Sequence, residues 1–106
     1  MLAHLTHLQG SPDKIADTVK CYYTDTITAT GEQPGFSGGY LLADRTSGRL
    51  VIVATWASEA DLRSAESRLA PAVARLMRAA GVSDPPSTER YEVIGQASGN
   101  LTARPN

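Results

Sequence analysis

Residues 34–57 read Pro-Gly-Phe-Ser-Gly-Gly-Tyr-Leu-Leu-Ala-Asp-Arg-Thr-Ser-Gly-Arg-Leu-Val-Ile-Val-Ala-Thr-Trp-Ala. Two apolar runs, each about 4–8 residues long and rich in β-branched and aromatic types, flank the polar segment Asp44–Gly48. This pattern predicts a β-hairpin with a longer loop. The second strand, Leu50–Trp56, does not alternate apolar with polar residues, so both faces of its sheet need cover.

Composition and charge restrict the class of protein. The 106 residues suit one domain, and ten Lys and Arg against eleven Asp and Glu give a formal net charge of −1. The arginines are scattered, so nucleic acid is not an expected partner. No run of about 18 apolar residues could span a bilayer, which excludes a membrane protein. Because the N-terminus lacks the basic region of a signal peptide, we expect a cytoplasmic protein.

The chain before the hairpin predicts a strand and a helix. Residues 2–8 suit a first strand, and Ser11 and Pro12 suit the N-cap and first position of a helix. Apolar residues then recur every three or four positions over roughly four turns. Gly31 and Pro34 are expected to close this helix.

The chain after the hairpin repeats the pattern. Ser58 and Asp61 form a capping box that begins a second helix, and Gly81 is expected to end it. Pro71 should kink this helix or split it into two. Residues Arg90–Gln96 then read as a last strand.

The resulting order, β-α-β-β-α-β, predicts a ferredoxin-like α+β fold within one domain over residues 1–97. Right-handed crossovers place both helices on one face of a four-stranded antiparallel sheet. The other face stays apolar and bare, so we expect it to pair with a second copy of the chain as a homodimer. The polar segment 98–106 is expected to be a flexible tail.

Three short segments carry a resemblance to a known family: Gly10–Lys14, Pro34–Phe36 and Ala54–Ala60, which contains Trp56 followed by Ala-Ser-Glu-Ala. With these marks the chain resembles the antibiotic biosynthesis monooxygenase-like domain of the dimeric α+β barrel proteins. The resemblance implies a pocket between helices and sheet in each protomer. Members include cofactor-independent oxygenases of polycyclic phenols and quinones, and haem-degrading enzymes.

Trp56 is the residue that the resemblance assigns most clearly to the pocket, where its indole would pack on a flat substrate; the alternative is a plain core aromatic. The haem-degrading members also need an asparagine on the first strand and a histidine on the second helix. Ala3 stands at the first position and Ser67 near the second. Haem is therefore not expected, and neither is any other cofactor.

The two histidines, His4 and His7, lie three residues apart, so in a strand they point to opposite faces and cannot share a metal site. If the family alignment holds, the face of Ala3, Leu5 and His7 borders the pocket, and His4 points toward the dimer side. His7 is then a candidate general base for a phenolic substrate. The alternative is a hydrogen-bonded structural histidine.

Three further aromatic residues, Tyr22, Tyr23 and Phe36, are candidates for ligand binding, with packing in the core as the alternative. Cys21 is the only cysteine of the chain, which excludes an internal disulfide and a paired-cysteine metal site.

Two functions from different classes remain open. The first is a cofactor-independent monooxygenase that acts on a small phenolic or quinone compound. The second is a non-catalytic homodimer that binds a small ligand or acts as an accessory protein. The tryptophan motif favours the first, and the scarcity of convergent polar residues favours the second.

Overall fold

The computed structural model describes residues 1–97 and shows a four-stranded antiparallel sheet with helices on one face. The strands are β1 (Leu2–Gln9), β2 (Phe36–Ala43), β3 (Arg49–Trp56) and β4 (Ser87–Glu92), in the order β2-β3-β1-β4. The predicted ferredoxin-like α+β fold and the hairpin of β2 and β3 are confirmed. The predicted tail, residues 98–106, lies outside the described residues.

The helical segment over residues 12–31 changes its winding along its length. A 3₁₀ turn (Pro12–Lys14) leads into α1 (Ile15–Cys21), a π-helical turn (Tyr22–Thr26) and α2 (Ile27–Gly31).

The start of this segment is held by backbone groups. The side chain of Ser11 makes no capping hydrogen bond, so the predicted side-chain cap is wrong. Because the segment starts with a tight 3₁₀ turn, the Ser11 carbonyl accepts the Lys14 N–H at 3.0 Å instead.

The second predicted helix is a single element, α3 (Glu59–Ala80). Its predicted cap is confirmed, since the Asp61 N–H donates to Ser58 Oγ at 3.1 Å and Gly81 ends the helix with a φ of 73°. The predicted split at Pro71 is wrong. Pro71 is exposed, and the buried stripe continues on both sides of it, through Leu62, Ala65, Ala72, Leu76 and Ala80.

The last strand is shifted from its predicted position. It covers Ser87–Glu92 rather than Arg90–Gln96, and it pairs with β1 from His7 opposite Ser87 to Leu2 opposite Glu92. Pairing with β1 places the strand here, because the ladder ends at Leu2 opposite Glu92, just after which the Val93 N–H donates to the Met1 carbonyl at 2.9 Å.

The core lies between the sheet and the helices in two clusters. One contains Leu8, Ile15, Leu50 and Ala80, and the other contains Trp56, Leu62 and Ala65. Both clusters use side chains of the same parity in β1 and β3, where Leu8 is opposite Leu50 and Leu2 is opposite Trp56. Within residues 1–97, no helix has both the length and the apolarity needed to cross a bilayer.

Leu76 provides a test of this packing, because its side chain is completely buried. We expect Leu76→Ala to lower the free energy of unfolding by about 2–5 kcal/mol, through lost transfer energy and the cavity it leaves. Ile94→Ala is the control, because Ile94 is 92% exposed. Urea denaturation measures both variants, and equal losses would contradict the assignment of the core.

Candidate functional site

A cavity of about 340 Å³ lies between the sheet and the helices. Its volume is in the range of small-molecule sites, roughly 300–1,000 Å³. Most of its wall is apolar, from Ile52, Ala54, Leu62, Leu69, Val73 and Met77. Its polar lining comes from His4, Thr6, Thr26, Thr30, Glu66 and Thr88. The cavity is therefore an apolar chamber with a few polar groups at defined positions.

Strand parity decides which histidine lines this cavity. His4 and Thr6 are opposite Ala54 and Ile52 of β3 and share the helix-facing side with them. His7 has the other parity. The prediction that His7 borders the pocket and that His4 points away is wrong, because the burial of Leu8 against Leu50 fixes His4's parity toward the helices.

His7 lies on the open face of the sheet, next to β4. Its Nε2 is 2.6 Å from Glu89 Oε1, and the Tyr91 hydroxyl donates to Glu89 Oε2 at 2.7 Å. These hydrogen bonds, from Tyr91 and then from His7, hold the pKa of Glu89 below its usual value. The catalytic role predicted for His7 has no support from this placement.

Trp56 forms the end wall of the cavity at the last residue of β3. Its side chain is 1% exposed and packs edge-to-face on Phe36, with ring centroids 5.4 Å apart. The Trp56 indole Nε1 is buried and has no hydrogen-bond partner among residues 1–97. Trp56 therefore offers an unused donor next to an apolar chamber.

The other predicted aromatic residues divide into two groups. Tyr22 and Phe36 line a small adjoining cavity of about 30 Å³, which shares Thr26 and Ile52 with the main one. Burial and then the neighbouring Tyr23 raise the pKa of Tyr22. The Tyr23 side chain is 67% exposed and lies outside the main cavity.

The cavity opens between α3 and β4. The lining residues on these two elements, Glu66 and Ala70 on one side and Thr88 on the other, are exposed, whereas Trp56 is buried. At this opening, the side chain of Arg90 reaches from β4 to α3. Its guanidinium donates to Glu66 at 3.0 Å and to Glu59 at 3.3 Å.

His4 lies beside this ion pair, directly opposite Arg90 on the neighbouring strand. Burial lowers the pKa of His4 below its usual value, and the positive charge of Arg90 lowers it further. Glu66 opposes this shift with a smaller effect. The imidazole is therefore uncharged at neutral pH and has a ring nitrogen free to accept a proton.

The structure predicts where His4 titrates. The variant His7→Gln leaves His4 as the only histidine, and its ring protons should titrate by NMR with a midpoint below about 6.5. Arg90→Gln should raise this midpoint, because it removes a nearby positive charge. Arg63→Gln is the control, since Arg63 pairs with Glu59 on the surface of α3.

The lowered pKa of His4 also determines how the stability of the protein depends on pH. Because the pKa of folded His4 is lowered, the unfolded chain binds more protons at pH values between the two pKa values. The free energy of unfolding should fall as the pH drops through this window. A His4 midpoint at or above its usual value would contradict both expectations.

Several solved structures match most of this chain. A monooxygenase from the gene ActVA-Orf6 of Streptomyces coelicolor, solved with nanaomycin D, matches with a TM-score of 0.75 and 21% identity, covering 92% of this chain and 90% of that chain. SnoaB, a cofactor-independent oxygenase from Streptomyces nogalater, solved as a point mutant, matches with a TM-score of 0.68 and 18% identity, covering 90% of this chain and 94% of that chain.

The haem-degrader MhuD from Mycobacterium tuberculosis, solved with two haems bound, matches with a TM-score of 0.70 and 21% identity, covering 92% of this chain and 100% of that chain. The chain has the fold of the antibiotic biosynthesis monooxygenase-like proteins. The predicted resemblance is thus confirmed at the level of the fold. Sequence comparison with family models and with curated proteins gives no match.

The residues of the cavity do not fit a haem of the kind that the resemblance implies. Ala3, at the asparagine position, has the parity of the open face, and Ser67, near the histidine position, is exposed and does not line the cavity. The only imidazole that lines it is His4, on the strand instead of the helix. Among residues 1–97, no three His, Cys, Asp or Glu side chains come together as a metal site.

Proposed function

We propose that this chain is a monooxygenase-like enzyme that oxidises a small phenolic compound with O₂ in the cavity beside Trp56. The observation that carries the proposal is His4, a neutral imidazole at the wall of an otherwise mostly aliphatic chamber. Two proteins of the same fold are described as a monooxygenase and as a cofactor-independent oxygenase, which favours oxygenase chemistry over binding alone.

The reaction asks little of the protein beyond a base and a dry cavity. His4 accepts the phenolic proton, and the electron-rich ring carbon of the phenolate forms a C–O bond to O₂. The resulting peroxide loses water by O–O cleavage, and the ring proton leaves with that water. The phenol is oxidised by O₂ to a quinone: one oxygen atom stays in the product, the other becomes water, and no further reductant is needed.

The remaining lining residues exclude water and orient the ring. Ile52, Leu62 and Val73 supply aliphatic surface on both layers of the cavity, which disfavours charged competitors and keeps the peroxide from hydrolysis. Trp56 forms the end wall on which a flat ring can pack. Tyr22 and Phe36 would bound a substrate that extends into the adjoining cavity.

Oxygen consumption tests the proposal with a panel of hydroxylated naphthalenes and anthracenes. We expect the wild type to consume O₂ and His4→Ala to slow it by roughly 10²-fold or more, the usual share of a general base, with little change in substrate affinity. Trp56→Phe should weaken binding of the same phenols.

His7→Ala separates the two histidines, because His7 lies on the opposite face of the sheet. If His7→Ala slows the reaction and His4→Ala does not, the assignment of the base to His4 is wrong. A wild type that binds the phenols, measured by quenching of Trp56 fluorescence, but consumes no O₂ would instead favour the non-catalytic ligand-binding protein.

The open face of the sheet, defined by Leu5, Tyr40, Leu42, Val53 and Tyr91, supports a homodimer as part of the same proposal. These residues share one side through the cross-strand pairs Leu42 with Val51, Tyr40 with Val53 and Ala3 with Tyr91. Tyr40 is 70% exposed on the described chain. A second copy related by a two-fold axis would cover these apolar side chains.

Light scattering at micromolar concentration should give about twice the 11.2 kDa mass of one chain. Leu42→Arg should shift the mass to that of a monomer, because it places a charge on the open face. Ala16→Arg is the matched control, since Ala16 is exposed on α1, on the opposite layer. A monomeric wild type would overturn this part of the proposal.

A further inference from the structure

The π-helical turn Tyr22–Thr26 brings an unusual threonine to the cavity. In this turn the Ile27 N–H donates to the Tyr22 carbonyl, five residues before it. A π turn holds one residue more than an α turn and often marks a functional site. Thr26, the last residue of the turn, lines both the main cavity and the small adjoining one.

Other threonines of the same helical segment show what Thr26 lacks. Thr18, Thr24 and Thr30 each donate their hydroxyl to the carbonyl four residues earlier, at 2.8, 2.8 and 2.7 Å. This is the usual way in which a helical threonine satisfies its hydroxyl. The Thr26 hydroxyl is buried and has no partner in the described part of the chain, and the residue is only 6% exposed.

Thr26 is the last residue of the π turn, and the carbonyl four residues before it, that of Tyr22, accepts the Ile27 N–H. A contact with α3 holds this turn in place. Next to Thr26, the Asp25 carboxylate accepts two hydrogen bonds from Arg75 of α3, at 2.9 and 3.0 Å. This two-point contact fixes the turn against α3 and so fixes Thr26 over the cavity.

A second residue of the cavity wall also carries a buried donor without a partner among residues 1–97. Trp56, with its indole Nε1, is on the sheet, and Thr26, with its hydroxyl, is on the helical segment. Buried polar groups without partners are rare and costly, and two on residues that line one cavity call for an explanation. A bound molecule with two acceptor oxygens would satisfy both.

We propose that Thr26 is a specificity-determining residue whose hydroxyl donates to an acceptor oxygen of the molecule bound in the cavity, while the Trp56 indole N–H donates to another. The molecule recognised in this way is flat, uncharged and carries carbonyl oxygens, as a quinone does. The inference rests on the use of the cavity for an aromatic ligand, as proposed above, but not on catalysis.

The test compares two probes with the same carbon skeleton. One is a naphthoquinone with methyl groups on both free quinone-ring carbons, which blocks addition of the Cys21 thiol, and the other is the corresponding dimethylnaphthalene. Quenching of Trp56 fluorescence gives both dissociation constants. Thr26→Val, which keeps the shape but removes the donor, should weaken quinone binding by roughly 5- to 15-fold and leave hydrocarbon binding unchanged.

Thr30→Val is the matched control. Thr30 lines the same cavity, but its hydroxyl is already bonded to the Thr26 carbonyl. It should not change the preference for quinone over hydrocarbon. Equal weakening of both probes in Thr26→Val, or no change in either, would overturn the inference, as would a wild type that binds neither probe.

A measurement without ligand gives an independent result. If the Thr26 hydroxyl has no partner in the free protein, Thr26→Val should raise the melting temperature. Thr18→Val should lower it, because the buried Thr18 hydroxyl loses its bond to Lys14. A melting temperature that falls in Thr26→Val as it does in Thr18→Val would overturn the inference.

The outcomes also separate this inference from the proposed function. Selective loss of quinone binding in Thr26→Val by a protein that consumes no O₂ with any phenol would support Thr26 and overturn the catalytic proposal. O₂ consumption by the wild type, together with an unchanged quinone preference in Thr26→Val, would support the catalytic proposal and overturn the role of Thr26.

Discussion

The antiparallel pairing of β1 with β3 is the constraint on which the rest of the structure depends. Its register sets Leu8 opposite Leu50 and Leu2 opposite Trp56, and both pairs face the helices. Because side chains alternate along a strand, this one register also determines that His4 lines the cavity. A shift by one residue would turn the core, the cavity wall and the candidate base to the opposite face together.

Much of the fold follows from local patterns, because those patterns act within a few residues. The cap at Ser58 and the glycine that ends α3 are set by neighbouring backbone groups, and the sequence shows them directly. The limits of β4 are set by its register against β1, some 85 residues earlier in the chain. The prediction from the local pattern of residues Arg90–Gln96 therefore placed this strand too late in the chain.

The candidate site, like the fold, is only partly predictable from the sequence. Trp56 could be assigned from its short motif, but the choice between His4 and His7 depends on which parity of β1 is buried, and both parities contain leucine. The signal that could have decided it is the burial of Leu8 with Leu50, which is a tertiary contact. Thr26 could not be found from the sequence, because its threonine neighbours share its helical context, and only the tertiary structure shows that its hydroxyl is buried without a partner among residues 1–97.

The positions where local rules fail are the positions that shape the cavity. Thr26 lacks the hydrogen bond to the carbonyl four residues earlier that Thr18, Thr24 and Thr30 make, and a purely aliphatic strand would have placed no imidazole at His4. Each departure costs stability, through an unpartnered donor or a buried titratable ring. The fold tolerates both because Leu76 and the two clusters around Leu50 and Trp56 bury apolar side chains between the sheet and the helices. A ligand that supplied acceptor oxygens would recover part of that cost on binding, so affinity in this site should depend more on the placement of two oxygens than on apolar area.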